Sequence, residues 1–124
     1  MPVKLIFVVR RHPNLTPAQF QDHWVNTHAP LVRSLAETFR IRRYVQSASI
    51  DSPVTAQLAE VRGMAVEEPP DGVAEVWFDS MEDLIAGFFG PDSEGAGQRL
   101  LEDEARFVDY SRTKAWVTEE RQMI

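Results

Sequence analysis

Thr16–Leu31 reads T-P-A-Q-F-Q-D-H-W-V-N-T-H-A-P-L, and the rest of the chain is ordered around it. Thr16 can accept a hydrogen bond from a first-turn N–H, and Pro17 at the first helical position gives up a donor that has no partner there. Gln19 stands three residues after Thr16, at the reciprocal position of a capping box. Phe20, Trp24 and His28 then follow at steps of four, and each step turns about 40° around an α-helix. They form one slanting inward stripe with a titratable imidazole at its end. Pro30 cannot donate to the Asn26 carbonyl, and its ring disfavours helical angles at Ala29, so the spacing predicts a break or kink between His28 and Pro30. At such a boundary, unsatisfied carbonyls raise the pKa of His28 while burial lowers it. Two readings follow: a group that exchanges a proton near neutral pH, or a core histidine bonded to a carbonyl.

The chain has 124 residues, 44% hydrophobic and 26% charged, the proportions of one soluble domain spanning residues 1–124. It has no cysteine, which excludes disulfides, thiolate metal sites and cysteine nucleophiles and fits a reducing compartment. The longest apolar runs fall well short of the roughly 18 residues that a membrane helix needs. The N-terminal M-P-V-K-L-I-F-V-V-R-R passes into basic residues without a small-residue cleavage site, so it reads as a strand rather than a leader. A net charge of −6 argues against a nucleic-acid surface or an anionic membrane as partner. A soluble, cytoplasmic protein is the expectation.

Val3–Arg10 has strand composition and is apolar on both faces, with Val3, Leu5, Phe7 and Val9 on one side. After Pro30 the helical period continues through Leu31, Leu35 and Phe39. Arg40–Ile50 reads as a second strand, placing Tyr44 and Gln46 on one face, either lining a pocket or exposed on an antiparallel sheet. Asp51–Asp71 is a long connection with a short helix from Thr55, as candidate cap, to Gly63 as stop. It is a lid or a partner contact on one reading and disordered on the other, with the lid preferred. Val73–Asp79 is the third strand, where Glu75 beside Trp77 is a candidate base, an interface group or, most simply, half of an ion pair. Ser80 caps the next helix, which Gly90-Pro91 ends. A helix over Asp92–Phe107 and a last strand over Asp109–Glu119, with Tyr110 and Trp116 on one face, complete the order. The pattern β-α-β, β-α-β is that of an α+β, ferredoxin-like four-stranded antiparallel sheet with helices on one face.

Several chemistries have no pattern to support them. His23 and His28 are five apart, about 140° around a helix, and cannot share a metal from one continuous helix. No histidine–carboxylate pair at i, i+4 faces one pocket, so no built-in metal site is expected. There is no phosphate loop, no G-x-S-x-G and no dinucleotide fingerprint. What remains is a His–Tyr acid/base pair in an aromatic pocket, or a pocket that only binds.

The motifs F-x-x-x-W-x-x-x-H-A-P-L from Phe20, R-x-Y-V-Q around Tyr44 and D-G-x-x-E-x-W-F from Asp71 together resemble the EthD domain family over nearly the whole chain. The resemblance implies a dimeric α/β barrel, in which the sheets of two protomers close around a shared centre with helices outside. His28 then matches the family's helix histidine, Trp24 its aromatic neighbour and Tyr44 its second-strand tyrosine. Lactone-isomerising relatives call on a cysteine that this chain lacks. One expectation is a cofactor-independent enzyme of isomerase, dehydratase, cyclase or quinone-forming oxygenase type. It would act on a small aromatic or lactone-like metabolite, with His28 moving the proton, Tyr44 polarising a substrate oxygen, and Trp24, Phe7, Phe78 and Phe20 as apolar binding groups. The other is a non-catalytic binding or accessory homodimer of an oxidative degradation or biosynthetic pathway, with His28 structural. Haem ligated by His28 is a third reading.

Overall fold

In the computed structural model, which describes residues 1–124, strand β1 (Val3–Val9) is an inner strand of the sheet. The sheet has four strands in the order β2-β3-β1-β4. The others are β2 (Arg43–Ala48), β3 (Gly72–Phe78) and β4 (Lys114–Glu119), and all three pairings are antiparallel. This is the ferredoxin-like order expected from the alternation of elements.

Register sorts the side chains onto two faces with a period of two. Leu5 lies opposite Val76 and Phe7 opposite Ala74; Tyr44 lies opposite Val76 and Gln46 opposite Ala74. These residues share the face covered by helices. Lys4, Ile6, Val45, Glu75, Trp77 and Trp116 occupy the other. There Lys4 Nζ meets Glu75 at 2.8 Å, so the lone strand carboxylate is half of an ion pair.

Helix α1 (Pro17–His23) opens with the expected capping box: the Gln19 N–H donates to Thr16 Oγ1 at 3.1 Å, and the Thr16 N–H donates to Gln19 Oε1 at 2.9 Å. The chain does not leave the helix before Pro30. It widens into a π-turn over Trp24–His28 and continues as α2 (Ala29–Leu35), with Pro30 in its first turn. The missing proline donor is absorbed by a change of helical register instead of a break. Phe20 and Phe39, both fully buried, pin this rod to the sheet.

Helix α3 (Pro53–Arg62) is capped by Ser52 rather than Thr55, and stops at Gly63, whose φ of 63° lies in the left-handed region. Helix α4 (Met81–Phe89) begins at Ser80, whose hydroxyl accepts from the Asp83 N–H. After a single 3₁₀ turn at Pro91–Ser93, α5 (Glu94–Phe107) returns across the sheet. The last strand is shorter than Asp109–Glu119. Asp109 accepts from the Ser111 N–H and hydroxyl, which folds residues 109–113 into a turn and takes Tyr110 off the strand face that carries Trp116.

No helix is long and apolar enough to cross a membrane.

Candidate functional site

The π-turn sets the geometry of the site. Its closing bond runs from the Ala29 N–H to the Trp24 carbonyl, five residues back instead of four. Residues five apart are thereby brought towards one face, and His23 and His28 converge on a single carboxylate. Asp103, on α5 and 3% exposed, lies 2.8 Å from His28 Nδ1 through Oδ2 and 2.9 Å from His23 Nε2 through Oδ1. The expected 140° separation fails because the helix is not α-helical at this point. Phe107, one turn after Asp103, packs its ring against both imidazoles at centroid distances of 4.6 and 4.9 Å.

A carboxylate only accepts hydrogen bonds, so Asp103 holds His28 as the Nδ1–H tautomer. No hydrogen bond in the protein engages Nε2, and that atom is not sealed from the cavity beside it. His28 is 6% exposed. Burial lowers its pKa below that of a free imidazole, and this outweighs the upward pull of the Asp103 hydrogen bond and charge. At neutral pH the ring is therefore a neutral base with its lone pair towards the cavity.

That cavity, about 230 Å³, lies between the helices and the sheet, and 14 of its 18 lining residues are hydrophobic. Phe7, Trp24, His28 and Tyr44 line it. Phe20 and Phe78 do not: at 0% and 1% exposed they sit in the packed core behind the wall. No residue of the 51–71 connection lines it either, so the lid reading gives way. That segment covers a separate groove beside α1, formed with Arg11, Pro17 and Gln21.

Tyr44 is held by its strand neighbour two residues on. Gln46 Nε2 donates to the Tyr44 hydroxyl oxygen and to the Trp24 carbonyl, each at 2.9 Å. One amide thus ties the strand to the π-turn and leaves the phenolic hydrogen with no protein acceptor. Burial raises the Tyr44 pKa against the opposing Gln46 hydrogen bond, so the group is a neutral donor. The indole of Trp24 reaches the wall because Gly72 faces it on β3. A Cβ at Gly72 would stand 2.5 Å from two indole carbons.

Four further polar side chains line the cavity, Glu104, Tyr110, Thr113 and Lys114, and the Tyr110 hydroxyl donates to Glu104 Oε1 at 2.9 Å. Burial is the largest influence on Glu104 and raises its pKa above the ordinary carboxylate range. Tyr110 is raised as well, by burial and by the neighbouring Glu104. No three histidine, cysteine or carboxylate side chains are grouped to hold a metal ion; Asp103 stands between the two imidazoles instead.

The sequence pattern of the EthD domain matches residues 12–111. The chain belongs to the EthD domain family. Every polar residue just described lies within that span of the EthD domain. Among solved structures, this EthD chain is similar to an ethyl tert-butyl ether D (EthD) family protein of Bacillus halodurans C-125. The two are 24% identical, with a TM-score of 0.65, covering 98% of this chain and 100% of that one. It is also similar to a dimeric protein of ferredoxin-like fold from Bacteroides fragilis NCTC 9343, at 13% identity and a TM-score of 0.60 over 96% of each chain. A third is SnoaB, a cofactor-independent oxygenase from Streptomyces nogalater, at 10% identity and a TM-score of 0.59, covering 99% of this chain and 96% of that one. At these identities the likeness is one of fold. No curated protein sequence matches the EthD chain.

Sequence reasoning missed Asp103, Glu104, Tyr110 and the part played by His23. One signal was available. Leu100, Asp103 and Phe107 are the inward residues of α5, at helical spacings of three and four, and an acid within an apolar stripe needs a buried partner.

Proposed function

We propose that this protein is a cofactor-independent acid/base enzyme that removes a proton from carbon next to a carbonyl in a small, neutral, partly aromatic or lactone-like molecule. The observation that carries this reading is the pairing of His28 Nδ1 with buried Asp103 at 2.8 Å, which turns the free Nε2 towards an apolar cavity. Proton transfer by a positioned base contributes about 10²- to 10⁴-fold. Tyr44, with its oxygen engaged by Gln46, donates to the substrate carbonyl as charge develops there. Phe7 and Trp24 supply the flat apolar walls. Chemistry of the quinone-forming oxygenase type would begin with the same deprotonation, and SnoaB, of like fold, is described as cofactor-independent.

The protein works as a homodimer under this proposal. Half-exposed Ile6, Val45 and Trp77, together with exposed Trp116, form an apolar outer face of the kind that normally seats a partner. The Bacteroides fragilis relative is described as dimeric. Light scattering is expected to give twice the chain mass at micromolar concentration; a monomer would overturn this part.

Trp24 provides the first test, because it lines the cavity while Trp77 and Trp116 lie on the other side of the sheet. Titration with a naphthol, a naphthoquinone, coumarin and benzylacetone is expected to give a saturable change in tryptophan emission with at least one of them. No response to any of them would favour the accessory role. A Soret band on adding haem would favour the haem reading.

A further inference from the structure

Asp103 and Glu104 are adjacent on α5 and point about 100° apart around the helix, so one carboxyl meets the imidazole pair while the next turns to the cavity. Glu104 lines the cavity with Tyr110 bonded to its Oε1 at 2.9 Å, and Lys114 lines the same space from the start of β4. Tyr110, Lys114 and Ala115 are the exposed part of the lining, so this end is where the cavity opens. The site therefore has two polar poles, His28 with Tyr44 deeper in and Glu104 with Tyr110 at the opening, separated by apolar walls.

We propose that Glu104 is the proton donor of this site, acting on a hydroxyl oxygen of the substrate, and that the substrate class is an aryl β-hydroxy carbonyl compound that loses water. This rests on the reading of His28 as the base. His28 Nε2 takes the proton from the carbon between the carbonyl and the hydroxyl-bearing carbon. The C–H electron pair becomes the new C=C bond, and the C–O bond breaks with its pair going to oxygen. The Glu104 proton joins that oxygen, which departs as water through the open end. One proton is taken and one given, nothing is oxidised or reduced, and the His28 proton returns to Glu104 through solvent. The Tyr110 hydroxyl stabilises the carboxylate left behind, and the Lys114 ammonium supplies a positive charge at the same opening. Burial favours the neutral acid at Glu104, and the charge of Asp103 beside it pushes the same way. Two titratable groups whose surroundings drive them in opposite directions, His28 down and Glu104 up, are the mark of an acid/base pair.

The test uses the intact protein and the aldol of benzaldehyde with acetone, a neutral aryl β-hydroxy ketone whose dehydration to benzylideneacetone is followed by its ultraviolet absorbance. Exchange of the protons next to the carbonyl for deuterium is followed by NMR in parallel. Wild type is expected to do both. Glu104→Gln is expected to keep exchange within about 3-fold and lose dehydration by about 100-fold, the scale of one proton transfer, while His28→Gln loses both. Retained dehydration in Glu104→Gln overturns the proposal and leaves the His28 reading standing; exchange unchanged in His28→Gln overturns that reading instead. Wild type exchanging without dehydrating overturns the substrate class. Carbon-13 NMR titration of the Glu104 carboxyl gives a readout free of turnover. Its midpoint is expected above the ordinary carboxylate range and higher still in Tyr110→Phe, where the stabilising hydroxyl is gone. An ordinary midpoint unmoved by Tyr110→Phe overturns the donor role.

Discussion

His28 and Asp103 meet at 2.8 Å inside the protein, and the same carboxylate takes His23 on its other oxygen. This joins the end of the π-turn to α5 and orients the one imidazole that faces the cavity. Asp103→Asn keeps the shape, but its amide NH₂ meets one of the two imidazole N–H groups. The expected result is a ring free to change tautomer and loss of the proposed proton transfer by about 10²-fold or more. Asp103→Ala leaves both imidazole donors without an acceptor. It is expected to cost about 1–3 kcal/mol for each orphaned group, read by urea denaturation.

Stability should depend on pH through His28 with a definite sign. Because burial holds the folded pKa below the ordinary value of 6.5, the unfolded chain takes up a proton first as the pH falls. The His28 contribution is therefore complete above about pH 6.5 and is lost progressively below it, down to the folded pKa. His28→Gln is expected to flatten the loss of stability as the pH falls below about 6.5. Glu104 works the other way. Its raised folded pKa means that stability is contributed at low pH and lost as the pH climbs from about 4.5 through the folded value. Glu104→Gln should remove that decline, and denaturation curves across the range separate the two effects.

Gly72 is the position at which strand chemistry reaches the site. A methyl group there would meet Trp24 Cη2 and Cζ3 at 2.5 Å and the Ser47 carbonyl at 2.8 Å. Gly72→Ala is expected to destabilise the fold by about 1–3 kcal/mol. It should also shift Trp24 emission, as the indole leaves the wall. An unshifted spectrum would place the strain elsewhere.

Tyr44→Phe removes the one hydroxyl donor at the His28 pole and leaves Gln46 still bonded to the Trp24 carbonyl. Affinity for benzylacetone, followed by Trp24 emission, is expected to fall about 3- to 10-fold, the worth of a single neutral hydrogen bond. Equal affinity would mean that the carbonyl binds at the other pole.

Local signals in the sequence carried most of the architecture. The Thr16–Gln19 capping box, the Phe20–Trp24–His28 stripe, the Ser80 cap and the Gly63 stop all depend on neighbours a few residues away, and the structure shows each of them. The site was legible only in part. His28, Tyr44, Trp24 and Phe7 were visible as a helix stripe and alternating strand faces. Asp103 comes to His28 across 75 residues of sequence, and no periodicity within a helix encodes that meeting. Pro30 announces a disturbed helix, but whether the chain breaks, kinks or widens into a π-turn is decided by packing and by Gln46, which reaches the Trp24 carbonyl from β2. Phe20 and Phe78 read as wall residues in the sequence because an inward face looks the same there whether a cavity or packed core lies behind it.

The most direct measurement of the central claim is deuterium exchange into benzylacetone, which carries acidic protons next to its carbonyl and has no hydroxyl to lose. Wild-type protein in D₂O is expected to speed their loss, read by proton NMR, with His28→Gln reduced to the buffer rate and Asp103→Asn strongly impaired while both variants stay folded. Exchange at the wild-type rate in folded His28→Gln would contradict the account.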